Sequence, residues 1–257
     1  MKFKIFFDEA GRWPLAWPVV VWGVVKLEEF NNSIFKDSKK LSEKKREQIF
    51  QQIQQLEKQN KLIFGFGYAT NEEIDNFGIV SSINLATKRT ILAIVAKYIN
   101  FFENQILPQK NFFDWDKFLA IQQLKQQIQN PHYPELIQTF NKIEKLHWLI
   151  FDGNTDFWLS KDLNFKVITV IKWDDKVPLI WAASIVAKVT RDNRIKQISH
   201  KYPQYNFAKH KGYGTKAHRQ AIQQFWPCEL HRKTFLKNIL SNDYTIKRPK
   251  IRQSLKN

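Results

Sequence analysis

The chain has 257 residues, 43% of them hydrophobic, and a formal net charge of +17. This is enough to bury a substantial core in one domain, or one with an appended subdomain, and it excludes a disordered chain. One cysteine, Cys228, excludes a disulfide framework and a cysteine-rich zinc site and suits a reducing cytosol. The 41 Lys and Arg against 24 Asp and Glu point to a polyanionic partner, nucleic acid before a membrane surface. The opening MKFKIFF holds too few apolar residues for a signal peptide or for a membrane span of about 20 residues, so a cytoplasmic location is expected.

Lys2 to Phe7 reads as a β-rich run, Val19 to Leu27 as a second and Leu62 to Ala69 as a third, a spacing that suits an antiparallel meander. Ser42 is placed to cap a helix running to about Gln59, with Glu43 at its positive end. Thr70 and Glu73 have capping-box spacing and open a short helix before Phe77. From Ser81 to about Phe102, Leu85, Ile91, Leu92, Val95 and Ile99 give an apolar stripe of helical period. The Gln- and Asn-rich stretch from Glu103 to Lys145 reads as an inserted helical hairpin broken around Pro131 and Pro134. His147 to Phe151 and Phe165 to Ile171 are two further strands. Leu179 to about Ser199 is a long helix, apolar nearly all round as far as Val189 and so buried along much of its length. Strands followed by helices, after the opening meander, indicate an α/β or α+β fold with a mixed sheet. From Lys233 to Asn257 seven Lys or Arg accompany a single acid, Asp243, which makes the end of the chain a basic tail able to lie along phosphates.

Three of the apolar runs lead into acids: Asp8 and Glu9, Asp152, and Asp174. Four carboxylates gathered at one edge of a sheet repel one another unless a cation lies between them. Hard divalent ions such as Mg2+ or Mn2+ take oxygen ligands, and two of them about 3.5 to 4 Å apart can activate water and stabilise the leaving oxygen in phosphodiester hydrolysis. Taken singly, each acid is as readily a turn or cap residue; their shared placement carries the reading.

Ser184, Lys188, Arg191 and Asp192 form one polar stripe on the long helix, facing substrate phosphate or closing a buried network, with Asp192 the structural member. Lys39 and Lys40, after Asp37 and Ser38, are placed to contact phosphates. The loop from Lys209 to Gly214, basic and carrying Tyr213, suits a strand-binding loop. His210, His218 and His231 lack zinc-ligand spacing, and a structural or phosphate-contacting role is expected of each. No Walker loop, dinucleotide fingerprint or Ser-His-Asp arrangement is present by motif.

Composition holds one anomaly. Nine Trp and eight Gly together make about 6.6% of the chain, whereas glycine alone usually contributes about 7%. That balance is expected if UGA codons meaning glycine had been written as tryptophan.

In sum these motifs resemble the ribonuclease HII family, the type 2 ribonucleases H. The matching segments run almost end to end: DEAGRWPLAWPVV from Asp8, DSKKLSEKKRE from Asp37, EID from Glu73, DGN from Asp152, IKWDDKVP from Ile171, AASIVAKVTRD from Ala182, HKGYGT from His210 and PCELHRKTF from Pro227. The resemblance implies an RNase H-like mixed five-stranded sheet flanked by helices. In that layout residues 1–200 form the catalytic domain, with the helical insertion at 103–145, residues 201–241 a helical substrate-binding portion, and 242–257 the tail.

The resemblance also implies Asp8, Glu9, Asp152 and Asp174 as the catalytic set, holding Mg2+ or Mn2+. The expected activity is cleavage on the 5′ side of a ribonucleotide, in RNA/DNA hybrids and at single ribonucleotides in duplex DNA, leaving 3′-hydroxyl and 5′-phosphate ends. In the family a glycine-arginine-glycine segment reads the 2′-hydroxyl by close backbone approach and a tyrosine packs on the sugar. Those positions fall here on Gly11, Arg12, Trp13 and Tyr213; Lys39 and Lys188 are the further expected substrate contacts. Trp13 departs from the pattern, as do Trp17, Trp173 and Trp226, each standing where the family has glycine. With the tryptophans taken literally, the competing expectation is a basic nucleic-acid-binding protein that does not cleave. The related ribonuclease HIII prefers continuous hybrids and usually carries an extra N-terminal domain, whereas this chain enters its first strand at once. A monomer with no membrane partner is expected.

Overall fold

A computed structural model describes residues 3–103, 146–152, 154–162, 166–170 and 177–240. Its five strands are β1 (Phe3–Ala10), β2 (Val19–Lys26), β3 (Leu62–Ala69), β4 (Leu146–Asp152) and β5 (Lys166–Val170). They form one mixed sheet in the order β3-β2-β1-β4-β5. Strands β1, β2 and β3 pair antiparallel, whereas β4 and β5 lie parallel on the other side of β1.

Strand β1 runs on to Ala10, so Asp8 and Glu9 lie inside it and not beyond its end. Carboxylates are poor strand formers, and the extension comes from pairing: Asp8 lies opposite Trp22 and Glu9 opposite Val21 on β2. The alternation of β1 divides the core between the two faces of the sheet. Ile5 and Phe7 join Val21, Leu149 and Phe151 beneath Ile83, Ile91 and Ile94 of α2 (Asn71–Glu103). Phe6 joins Val24 and Ile150 on the opposite face, under α1 (Glu43–Lys58) and α3 (Pro178–Ser199). Helix α2 comes very close to β3, because a Cβ on Gly67 would stand 2.2 Å from the Ala86 carbonyl oxygen.

The local signals read from sequence have their expected partners. Ser42 Oγ accepts the Lys45 N–H at 3.3 Å and starts α1. Thr70 and Glu73 close a reciprocal capping box, with bonds of 2.8 and 3.2 Å. Arg89 then grips the same carboxylate with two 2.9 Å bonds. The short and long helices expected on either side of Phe77 are two halves of α2, bent at Gly78 where φ is 78° and ψ 162°. By length and apolarity Asn71–Tyr98 would suffice to cross a membrane; its apolar stripe here fills the core under the sheet.

Beyond α3, the helix α4 (Lys216–Phe225) is capped by Thr215. A small core of Ala16, Trp17, Ile195, Tyr205 and Phe207 fastens this part of the chain to α3 and to the segment after β1. The hairpin expected at 103–145, apart from Glu103, and the tail 242–257 lie outside the described residues.

Candidate active site

The parallel register of β1 on β4 sets Phe7 beside Phe151, so the backbones of Asp8 and Asp152 follow side by side at one edge of the sheet. Asp152 pairs in turn with Val170 of β5. Asp8 and Glu9 are both half-buried, and Asp8 Oδ1 accepts the Glu9 N–H at 2.9 Å. Strand alternation gives Asp8 the face of Phe6, toward α3, and Glu9 the face of Phe7, toward α2. The side chain of Asp152 and the whole of Asp174 and Trp173 lie outside the described residues. Among the described residues no three His, Cys, Asp or Glu side chains converge on a metal position. Carboxylate oxygens at the ends of neighbouring parallel strands are the donors that hard divalent cations take.

Past Ala10 the chain turns at Gly11, whose φ is 91°. A Cβ there would meet the Pro18 carbonyl oxygen at 2.9 Å and Arg191 Nε at 3.3 Å, so both conformation and space call for glycine. Arg191 also lies over the Tyr213 ring, at 5.3 Å, and its Nη2 donates to the Lys211 carbonyl at 2.7 Å. One arginine of α3 thus lies beside both Gly11 and Tyr213, two of the expected substrate contacts. Tyr213 is 45% exposed and Trp13 70%, and the Arg12 guanidinium lies between the rings of Trp13 and Phe157, at 5.1 and 5.7 Å.

The polar stripe of α3 divides between roles. Ser184 Oγ meets Ser38 Oγ at 2.8 Å and ties the Ser38–Lys40 turn to the helix. Lys188, one turn on, is half-buried. Arg191 Nη1 donates to Asp192 Oδ1 at 3.4 Å, which fits a structural Asp192. Lys40 reaches Asp37 at 3.8 Å; the side chain of Lys39 is outside the described residues.

Arg232, which no sequence signal marks as part of the site, is fully buried. Its Nε donates to the Trp17 carbonyl at 2.8 Å, Nη1 to Arg12 at 3.0 Å and Nη2 to Gly11 at 2.5 Å. Backbone bonds from Leu15 to Gly212, from Trp17 to Leu230 and from Arg232 to Leu15 complete the clamp. Burial, with Arg191 nearby, pulls the Arg232 guanidinium down to about 9, which leaves it protonated at neutral pH. A cation bonded by carbonyls, not by a carboxylate, fixes the backbone of residues 11, 12 and 17 directly. Arg232→Met is expected to cost at least about 3 kcal/mol, because two buried carbonyls and a part-buried one lose charge-assisted partners. A urea midpoint equal to that of the parent would contradict it.

Three histidines brace the same region, and their partners assign each proton. His210 Nε2 donates to the Tyr205 carbonyl at 2.6 Å while Nδ1 accepts the Gly212 N–H at 3.2 Å. His218 Nδ1 donates to the Tyr213 carbonyl at 2.9 Å, leaving Nε2 to accept from His231 Nε2 at 3.1 Å. His231 Nδ1 accepts the Cys228 N–H at 3.0 Å. All three rings are neutral, and protonating any of them removes an acceptor. Burial lowers His218 to about 4 and His231 to about 3, and lowers His210 in the same direction.

Because the folded values lie below the unfolded one of about 6.5, the unfolded chain takes up protons first as pH falls. This contribution to stability is complete above about pH 6.5 and is lost as pH drops toward the folded values. At pH 5 each of His218 and His231 is expected to cost about 2 kcal/mol. The thermal midpoint should therefore lie at least about 4 °C lower at pH 5 than at pH 7.5; a midpoint unchanged over that interval would contradict the network.

A family model, Ribonuclease HII, matches residues 5–238. The chain is 36% identical over 233 residues to the Ribonuclease HII of Clostridioides difficile, covering 91% of this chain and 69% of that protein. It is 34% identical over 252 residues to the Ribonuclease HII of Aliarcobacter butzleri, covering 96% and 98%. Among solved structures, the ribonuclease H2 of Pyrococcus horikoshii OT3 is similar at a TM-score of 0.54 and 21% identity, over 92% of this chain and 96% of that one, a likeness that bears on the fold. The RNase H-like sheet and a family match spanning nearly all of its length agree: the chain belongs to the ribonuclease HII family and is an endonuclease, a hydrolase of phosphodiester bonds.

Proposed function

We propose that the protein hydrolyses the phosphodiester on the 5′ side of a ribonucleotide, in RNA/DNA hybrids and at single ribonucleotides in duplex DNA, with Asp8, Glu9, Asp152 and Asp174 as its divalent-metal carboxylates. The observation that carries this reading is the register of β1 on β4, which brings the backbones of Asp8 and Asp152 to one edge with Gly11 only three residues further on. Two Mg2+ or Mn2+ ions, if held by such a set, would supply activation of water and charge neutralisation at the leaving oxygen.

The rest of the work belongs to the protein. Gly11 offers bare backbone to a 2′-hydroxyl, the minor-groove group that separates RNA from DNA. Tyr213 offers a ring for the sugar to pack on, and Arg12, Lys39 and Lys188 answer phosphates. Since Asp8 and Gly11 belong to one strand and its turn, seating the ribose also aligns the scissile bond with the carboxylates. Residues 201–240 support this through Tyr213, Arg232 and the histidines, in keeping with a substrate-binding role for that portion. Burial pushes the Cys228 thiol up to about 11, which keeps it a thiol at neutral pH and suits a reducing cytoplasm.

A second reading, a basic protein that binds nucleic acid without cutting it, is favoured by one observation: the exposed indole of Trp13 beside Arg12. A duplex with one ribonucleotide, incubated with Mg2+ or Mn2+, separates the two. Cleavage at the ribonucleotide with an all-DNA duplex left whole is expected; binding without cleavage, in protein of verified sequence, supports the second reading.

A further inference from the structure

We infer that the working protein carries glycine, not tryptophan, at positions 17, 158 and 226, and that their codons are read as glycine in the source cell. Seven of the described non-glycine residues have positive φ, and three of them are tryptophans: Trp17 at 89°, Trp158 at 62° and Trp226 at 64°. Seven tryptophans in all lie among the described residues. Non-glycine residues adopt this conformation only a few per cent of the time, Asn and Asp most often, and an indole has no short polar group to satisfy the local backbone.

Trp226 makes the strongest demand. It directly follows the last residue of α4 with φ 64° and ψ 164°, a combination essentially confined to glycine, at a place after a helix where glycine is common. Its carbonyl accepts the Tyr205 hydroxyl, which fixes the peptide in that orientation. Trp17 is held from both sides, its N–H by the Leu230 carbonyl and its own carbonyl by Arg232, so its φ is not free to relax. The ring brings no compensating hydrogen bond: Trp17 is 4% exposed, and its buried Nε1 has no partner among the described residues. Trp158 shows the opposite placement and again a positive φ, with 53% of its surface in solvent at a turn before Leu159.

One coding cause accounts for a buried, a half-buried and an exposed position together, and it raises the glycines of the chain from eight to eleven, toward the usual share. Position 17 is then a positioning residue for the ribose-reading segment: glycine takes up the φ of 89° without strain, and the Arg232 clamp closes on it. The inference rests on backbone conformation and composition, and stands or fails whichever duplex the protein cuts.

The test is peptide mass spectrometry on the protein purified from its own cells, read beside the gene. Glycine is expected at 17, 158 and 226, encoded by UGA, in a chain several hundred daltons or more below the written 30.7 kDa. Tryptophan at these three positions, encoded by UGG, overturns the inference. A second measurement uses the full recombinant chain. Trp158→Gly and Trp226→Gly are each expected to raise the thermal midpoint by about 2 °C or more as strain is released. A midpoint lowered by both substitutions overturns the backbone argument.

Discussion

Replacing Trp13 with glycine is expected to raise the rate at which the chain as written cuts a single embedded ribonucleotide by about 10²-fold, the penalty of holding a reacting bond about 1 Å out of place. Trp13 directly follows the Gly11–Arg12 pair whose carbonyls Arg232 grips, and its ring stands 70% exposed above Arg12. An indole in that position keeps a sugar from the backbone, whereas glycine leaves the peptide bare. Affinity for an all-DNA duplex, set largely by phosphate contacts, should change by no more than about twofold. Single-turnover rates and all-DNA binding measured side by side check both halves; equal rates for the two chains would show that position 13 does not face the ribose.

Asp8→Asn is expected to remove about 10³-fold of the cleavage rate, the equivalent of several kcal/mol of transition-state stabilisation. The amide keeps the shape of the carboxylate and its oxygen can still accept the Glu9 N–H, so the strand end is preserved. Removing one negative charge from the proposed set of four carboxylates should leave the thermal midpoint level or higher. Loss of rate with an unchanged midpoint is the expected pair of results. A variant that keeps its rate would take Asp8 out of the catalytic set.

Much of the fold was legible because its signals are local. Apolar runs bounded by turn or charged residues located β2 and β3 to within a residue, and the Thr70–Glu73 box lies within four residues of chain. Strand β1 was cut short because Asp8 to Ala10 are extended by their pairing with β2, a partner that propensity does not see. In the site, Asp8 and Glu9 stood out as charge placed against an apolar run. Arg232 did not, since the carbonyls it bonds lie 215 to 221 residues away. Every residue has a carbonyl, so no complementary side chain marks the partner. The three histidines were expected to be structural or phosphate-contacting, and what they bond was hidden for a related reason, because His218 and His231 join as two neutral rings and their other partners are backbone groups. Backbone strain at Trp158 is likewise invisible in the sequence and shows only in its φ of 62°.

The most direct test of a ribonucleotide-directed endonuclease built on Asp8 is the position and chemistry of its cut. An end-labelled duplex with one ribonucleotide should be incubated with the chain carrying glycine at position 13, in Mg2+ or Mn2+, and the product ends identified. One cut is predicted, on the 5′ side of the ribonucleotide, with a 3′-hydroxyl and a 5′-phosphate, absent in Asp8→Asn. A duplex that is bound and left whole, or one cut without regard to the ribonucleotide, would contradict it.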